Sequence, residues 1–265
     1  MKNQLRYLIK QMNEDRLLSS DIINWAAPVI SFGNVENSKI ATLGINPSNR
    51  EFVDLNNVEL NDNERRFYTL NSLNLKNWSS IQDNQLEKII SSCNDYFVSN
   101  PYDGWFKQLD FIISGSSMSY YFPSREACHL DLVPYATHSK WSNLSSNQKA
   151  ILLDESIDIL GEILKASSIK VIILNGKTVV DNLQKISKTN LEIEHIKDWT
   201  LPRNNTENVK GFSYSGYISK IGNINLNKKI KILGFNHNIQ SSFGVTTEVK
   251  KSIRDWITKK ITYEN

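Results

Sequence analysis

Cysteine is scarce: Cys93 and Cys128 are the only two in 265 residues. Two are too few for a disulfide-built scaffold or a four-cysteine zinc or iron–sulfur site. Both read as small core residues, and a reducing, cytoplasmic setting is expected. Long apolar runs are also missing, and none approaches the ~18 residues that a membrane span needs. Residues 1–10 carry no apolar stretch with a small-residue cleavage site, so no secretion signal is read there. Three chemical signatures are absent as well. There is no GxxxxGK[ST] or GxGxxG loop to cradle a nucleotide's phosphates, and no GxSxG nucleophile elbow. No pair among His129, His138 and His195 has metal-ligand spacing, so neither a metal nor a cofactor is expected.

What is present describes a folded chain. Hydrophobic residues make up 40% of it and the mean hydropathy is -0.40, which excludes the disordered class. The net charge of +3 permits nucleic-acid binding without announcing it. The length suits one α/β domain, and a monomer is expected, with residues 1–27 as an N-terminal helical extension.

Along the chain, apolar spacing predicts a helix over 3–18, and a second from about Asp21 to just before Pro28. A short apolar strand at 39–44 ends in Gly44 and Pro47. Residues 61–122 read as mostly helical, with apolar faces at 85–97 and 105–113. "CHLDL" reads as a strand that Pro134 closes, 147–166 as an amphipathic helix, 170–176 as a buried strand and 177–187 as a helix. Residues 190–227 alternate like a hairpin with polar loops. "IKILGF" at 230–235 is read as the last core strand, followed by a helix over 246–261. Apolar strands alternating with amphipathic helices predict an α/β fold. The expected form is three-layer α/β/α around a central, mostly parallel four-stranded sheet.

In such sheets the ligand crevice lies at the carboxyl ends of the strands. Four segments fall there: 44–49, 131–140, 175–178 and 235–244. "GINPS" (Gly44–Ser48) reads as a tight turn that brings its backbone close to a ligand and projects Asn46 into the crevice. An ordinary turn explains the same letters. Asp131 lies inside an apolar strand, where a carboxylate needs a partner or a function. It is either functional, as an acceptor for a ligand's amino group or as a catalytic carboxylate, or half of a buried ion pair with Arg125 or Lys140. "GFNHNIQSSFG" (Gly234–Gly244) carries His237, Asn238, Gln240, Ser241 and Ser242, suited to gripping phosphate or stabilising negative charge, or simply a polar surface loop. "NGKT" at 175–178 begins a helix whose first amides and Lys177 are placed to meet a phosphate.

Taken in order, these segments resemble the uracil-DNA glycosylase superfamily over roughly residues 28–260. "GINPS" is similar to its first active-site motif in the Asn-bearing version. "HNIQSS" stands where the second motif usually reads His-Pro-Ser, with Asn238 and Ile239 in place of Pro-Ser. "ISFGN…KIATLGINPSNREF" and "NIQSSFGV" are similar to a divergent bacterial subgroup.

The resemblance implies a monofunctional DNA glycosylase that flips its target base out of the stack. It implies that Asn46 positions the water, backbone near Ile45 binds a base carbonyl, and Phe52 or, second, Tyr68 stacks on the base. His237 would steady the departing base. Ser48, Lys177, Asn238, Ser241 and Ser242 would hold DNA, with Ile239 or Gln240 filling the gap in the duplex. Asp131, an acceptor at the base edge, favours a base with an amino group. The substrate expected is therefore a modified cytosine of phage DNA, excised in antiviral defence. A repair glycosylase for uracil or another deaminated base shares the chemistry. A non-catalytic nucleic-acid-binding module and a small-ligand α/β domain remain as other classes.

Overall fold

The computed structural model describes residues 1–203 and 207–262. The expected hairpin at 190–227 includes residues 204–206, which lie outside the described residues. The chain opens with α1 (Lys2–Gln11) and the single turn α2 (Asp15–Leu18), so the helix expected over 3–18 comes in two pieces. The second helix, expected from Asp21, is absent. Asp21 takes a left-handed φ of 66°. Ile22 and Ala26 instead bridge to Thr137 and Thr69. Their apolar spacing reflects burial of an irregular segment, not a helical face.

β1 (Ile40–Gly44) follows as read, every residue buried. The 61–122 region holds less helix than expected, in α3 (Asp83–Asn94) and α4 (Asp103–Ile113). Residues 61–77 are turns tied by side chains, such as Thr69 to Glu59 and Ser72. β2 (Ala127–Asp131) and α5 (Ser146–Ala166) come next. Ser145 caps α5, accepting from the Gln148 amide, while the Gln148 side chain returns the bond. Such a reciprocal cap satisfies amides that the first helical turn leaves unpaired. β3 (Val171–Asn175) and α6 (Lys177–Ser187) complete a strand–helix unit. β4 (Glu192–His195), β5 (Phe212–Ile221), β6 (Ile224–Phe235) and α7 (Thr247–Thr262) close the chain.

Among the described residues the sheet has six strands, in the order β2-β1-β3-β6-β5-β4. β2, β1, β3 and β6 run parallel; β5 and β4 are antiparallel additions. The four-stranded expectation is corrected here. "INLNKK" and "IKILGF" are not separate strands but one twelve-residue β6, whose outer half pairs with β5. The reading of a hairpin up to 227 and a separate strand from 230 left a gap only at Lys228 and Lys229, and Lys229, like Asn225 and Asn227, is on the exposed side of β6. Ile172, Ile173, Ile232 and Leu233 are wholly buried in its middle. α1 packs on α3 and α5, so the N-terminal helix belongs to the same hydrophobic cluster as the sheet. Among the described residues no helix is long and apolar enough to cross a membrane.

Candidate functional site

A cavity of about 280 Å³ lies at the carboxyl ends of the four parallel strands. It takes Gly44 from β1, Asp131 from β2, Asn175 from β3 and Asn238 just past β6. The four segments singled out by strand-end logic therefore converge. The volume sits at the lower edge of the roughly 300–1,000 Å³ typical of small-ligand pockets.

The floor is set by pleat and register. His129 and Asp131 are two apart on β2, so they share a face. Their partners across the pairing are Thr42 and Gly44 of β1. His129 Nε2 lies 3.3 Å from Asp131 Oδ1, with both side chains almost fully buried. The other ring nitrogen, Nδ1, meets Thr42 Oγ1 at 2.7 Å, and Thr42 is hydrogen-bonded in turn to the Tyr120 hydroxyl. Asp131 is thus partnered, by His129 and by neither Arg125 nor Lys140; Arg125 instead lies over Phe122. Gly44 is needed for a reason other than a tight turn. A Cβ there would stand 2.3 Å from Asp131 Oδ1 and 2.9 Å from His129 Nε2.

Asn46 lines the cavity, and its orientation is dictated by its neighbours. The Thr137 hydroxyl donates to the Ser139 carbonyl at 2.7 Å. It therefore accepts from Asn46 Nδ2 at 3.1 Å, and Nδ2 also points to the Tyr135 carbonyl at 3.4 Å. Such a network fixes which end of the amide is nitrogen. The amide oxygen receives no hydrogen bond among the described residues and is the atom left for water or ligand. Ile45 and Ser48 line the same wall, Ser48 as the exposed cap that accepts from the Arg50 amide.

The aromatic walls differ from those expected. Phe52 is buried in the core, edge-on to Trp25 at 6.3 Å and tilted on Phe67 at 5.8 Å. Tyr68 does not reach the cavity and carries the Arg65 guanidinium over its ring. Trp105, Trp141 and Tyr102 form the accessible walls, with Phe106 and Phe32 behind them. Trp105 stands edge-on to the His129 ring at 5.2 Å. These rings sit in segments whose apolar spacing reads as ordinary helix or turn, so sequence pattern carried no signal for them.

The last loop is also placed differently from expectation. His237 is buried and lies outside the cavity. Its Nε2 donates to the Trp199 carbonyl at 2.6 Å. Burial holds its pKa below the ordinary histidine value, partly opposed by that hydrogen bond, with Arg203 nearby adding to the lowering. Ile239 is 5% exposed, so it is a core side chain and not a protruding wedge. Its amide donates to Asn175 Oδ1 at 3.0 Å. Gln240 is held too, accepting from Asn175 Nδ2 at 2.7 Å. Asn238 does reach the cavity, and its Oδ1 caps the turn by accepting from the amides of Gln240 and Ser241. Ser241, exposed, and Ser242, half-buried, line neither the cavity nor the groove beside it, and the exposed side chain beyond them is Phe243, with Arg203 over its ring. The start of α6 is partly engaged. The Lys177 amide donates to the Asn236 carbonyl and its ammonium bonds to Asp181 at 2.7 Å.

Glu51 has no sequence signal and is a second buried carboxyl of the site, beside Asp131. It ends the short 3-10 turn Asn49–Glu51, lines the cavity and is 3% exposed. Tyr96 donates its hydroxyl to Oε2 at 2.9 Å, and Arg66 Nε lies 3.8 Å from the same oxygen. Burial pushes the Glu51 pKa up to about 7, opposed by Tyr96 and Arg66 and reinforced by the nearby Asp131.

Beside the cavity, and sharing Asn46, Pro47, Ser48 and Trp141 with it, is a polar groove of about 600 Å³. Arg50, His138 and Lys140 line it. No cluster of metal-ligating side chains occurs among the described residues. No protein-family model and no curated protein sequence matches the chain.

Proposed function

We propose that this chain is a DNA glycosylase, of three-layer uracil-DNA-glycosylase-like form, that hydrolyses the N-glycosidic bond of a flipped-out base. The observation that carries the reading is the pairing of a cavity and a groove. The cavity is walled by Trp105 and Trp141 and floored by acceptors, and it opens into a groove bearing Arg50, His138 and Lys140. A planar heterocycle would stack on one of these indoles, and stacking of a base on an aromatic face is worth about 1–3 kcal/mol. The phosphates on either side of the extruded nucleotide would lie along the groove, with Ser48 at its edge.

The floor supports a base with an amino group. A carboxylate accepts and does not donate, and the Asp131 side chain is held by His129 so that its acceptor face is presented in one orientation. Cytosine carries such an amino group and uracil does not. A modified cytosine of phage DNA, with a role in defence, completes the reading. Asn46 orients the attacking water through its free amide oxygen. The leaving base would draw on the amide nitrogen of Asn238, since His237 is bonded to the Trp199 carbonyl outside the cavity.

The test is an abasic-site assay. The protein is incubated with DNA carrying glucosylated hydroxymethylcytosine, with unmodified DNA and with uracil-DNA, and alkali-sensitive sites are scored. Cleavage confined to the modified DNA, lost in Asn46→Ala, is expected. Cleavage confined to uracil-DNA moves the protein to base repair. Tight DNA binding with no abasic product on any of the three makes it a binding module, a reading favoured by the withdrawn His237.

A further inference from the structure

We propose that Glu51 is the general base of this site, taking the proton of the water that Asn46 orients; the inference rests on the glycosylase reading. The need arises from Asn46 itself, since an amide does not titrate and can only position. Glu51 follows it by five residues, on the turn that Ser48 caps, and lines the same cavity.

A purely structural role explains Glu51 poorly. A carboxylate buried for stability is ordinarily met by a close, two-pronged guanidinium. Arg66 does not offer one. Its Nε donates to the Asn100 carbonyl and its Nη1 to the Arg50 carbonyl, leaving it 3.8 Å from Glu51. The Tyr96 hydroxyl and Arg66 both address Oε2, and no hydrogen bond reaches Oε1 among the described residues. One oxygen is anchored and the other is left for the cavity. The charged and titratable groups facing this carboxyl are Tyr96 beyond α3, Arg66 in the preceding loop, and Asp131 with its His129 partner on β2. Burial and the second carboxylate hold the acid near neutrality, where a general base is most effective.

The step balances without any added reagent. The water oxygen bonds to C1′ of the deoxyribose while the C1′–N bond to the base breaks, its electron pair leaving on the base. The water proton passes to Glu51 Oε1. The carboxylic acid so formed then returns that proton to the base nitrogen, restoring the carboxylate.

The experiment is single-turnover excision from pH 5 to 9 by the wild type, Glu51→Gln and Tyr96→Phe, with DNA affinity measured alongside. The wild-type rate should rise with pH to a plateau, with a midpoint near neutrality. Glu51→Gln, isosteric with the protonated acid, should bind DNA normally and lose at least about 100-fold in rate, with a flat profile. Tyr96→Phe removes a hydrogen bond that favours the carboxylate, so its midpoint should move to higher pH; it reads the same role if Glu51→Gln fails to fold. An active wild type with an unchanged Glu51→Gln rate and profile, or an unmoved Tyr96→Phe midpoint, overturns the role of Glu51 and leaves the glycosylase standing. A wild type that makes no abasic site on any DNA overturns both.

Discussion

A methyl group on Gly44 has nowhere to go. The atoms it would meet, Asp131 Oδ1 and His129 Nε2, are themselves an interacting pair on a buried strand. Gly44→Ala must therefore either push β1 from β2 or break that pair. Overpacking of this kind costs about 1–3 kcal/mol, measurable as a lower urea midpoint. Loss of base excision should exceed what that destabilisation explains, because the acceptor at the floor is displaced. Full activity in Gly44→Ala would show that the His129–Asp131 pair is not part of recognition. Glu51 makes a separate prediction about stability. Its folded pKa, about 7 against an ordinary 4.5, means that the fold holds a proton that the unfolded chain releases. That contribution is complete below about pH 4.5 and is lost as the pH rises through 7. Glu51→Gln should gain stability relative to the wild type across that window, with a limiting slope of about 1.4 kcal/mol per pH unit, and no further above it. A difference that stays constant from pH 4.5 to 7 would contradict the burial-driven shift. Legibility at this scale was uneven. Asn46 and Asp131 were readable because they interrupt apolar strands or follow them. Glu51 was not, since "SNRE" reads as a polar surface turn and only the packing of Tyr96 and β2 encloses it.

Among elements, the loop from Asn236 to Gly244 shows most clearly what a motif can and cannot convey. Its place after a core strand was legible, and so was the convergence of four strand ends, because both follow from the rules of parallel sheets. The direction of each side chain was not. Ile239 looks like a wedge in a polar loop, but its amide is bound by Asn175 and its side chain is packed in the core. Ile239→Ala should therefore lower stability by about 2–5 kcal/mol, as for other large-to-small core changes, measured by chemical denaturation. Phe243 is the exposed apolar side chain of this loop, 81% accessible, and Phe243→Ala should leave stability within about 0.5 kcal/mol of the wild type while weakening capture of a base from duplex DNA more than from single strands. The opposite pattern, with Phe243→Ala destabilising and Ile239→Ala silent, would reverse the assignment. β6 teaches the same lesson from the other direction. Its two halves were read as separate strands, one in a hairpin ending at 227 and one from 230, whereas they are one strand whose outer half pairs with β5. The segment from Asp21 failed oppositely, its apolar residues buried by contacts with distant Thr69 and Thr137 and not by a helical stripe.

For the molecule as a whole, a net charge of +3 is too small to bind DNA by bulk attraction, so affinity must come from where the cations stand. Arg50 and Lys140 face each other's groove from two different loops, one following β1 and one following β2, at the mouth of the base-sized cavity. Neither forms an ion pair among the described residues, in contrast to Lys177, which Asp181 neutralises. An unpaired cation beside a phosphate releases a counterion when it binds, and removing one such contact lowers the salt slope of log K by about 1. The double variant Arg50→Ala/Lys140→Ala should thus lower that slope by about 2, whatever the DNA sequence or base modification. Lys177→Ala should leave it unchanged. Measured by fluorescence anisotropy across a salt series, a slope insensitive to Arg50 and Lys140 but sensitive to Lys177 would move the DNA path off this groove and onto the start of α6. The cavity would then open away from the backbone, and extrusion of a nucleotide into it would lose its geometric basis.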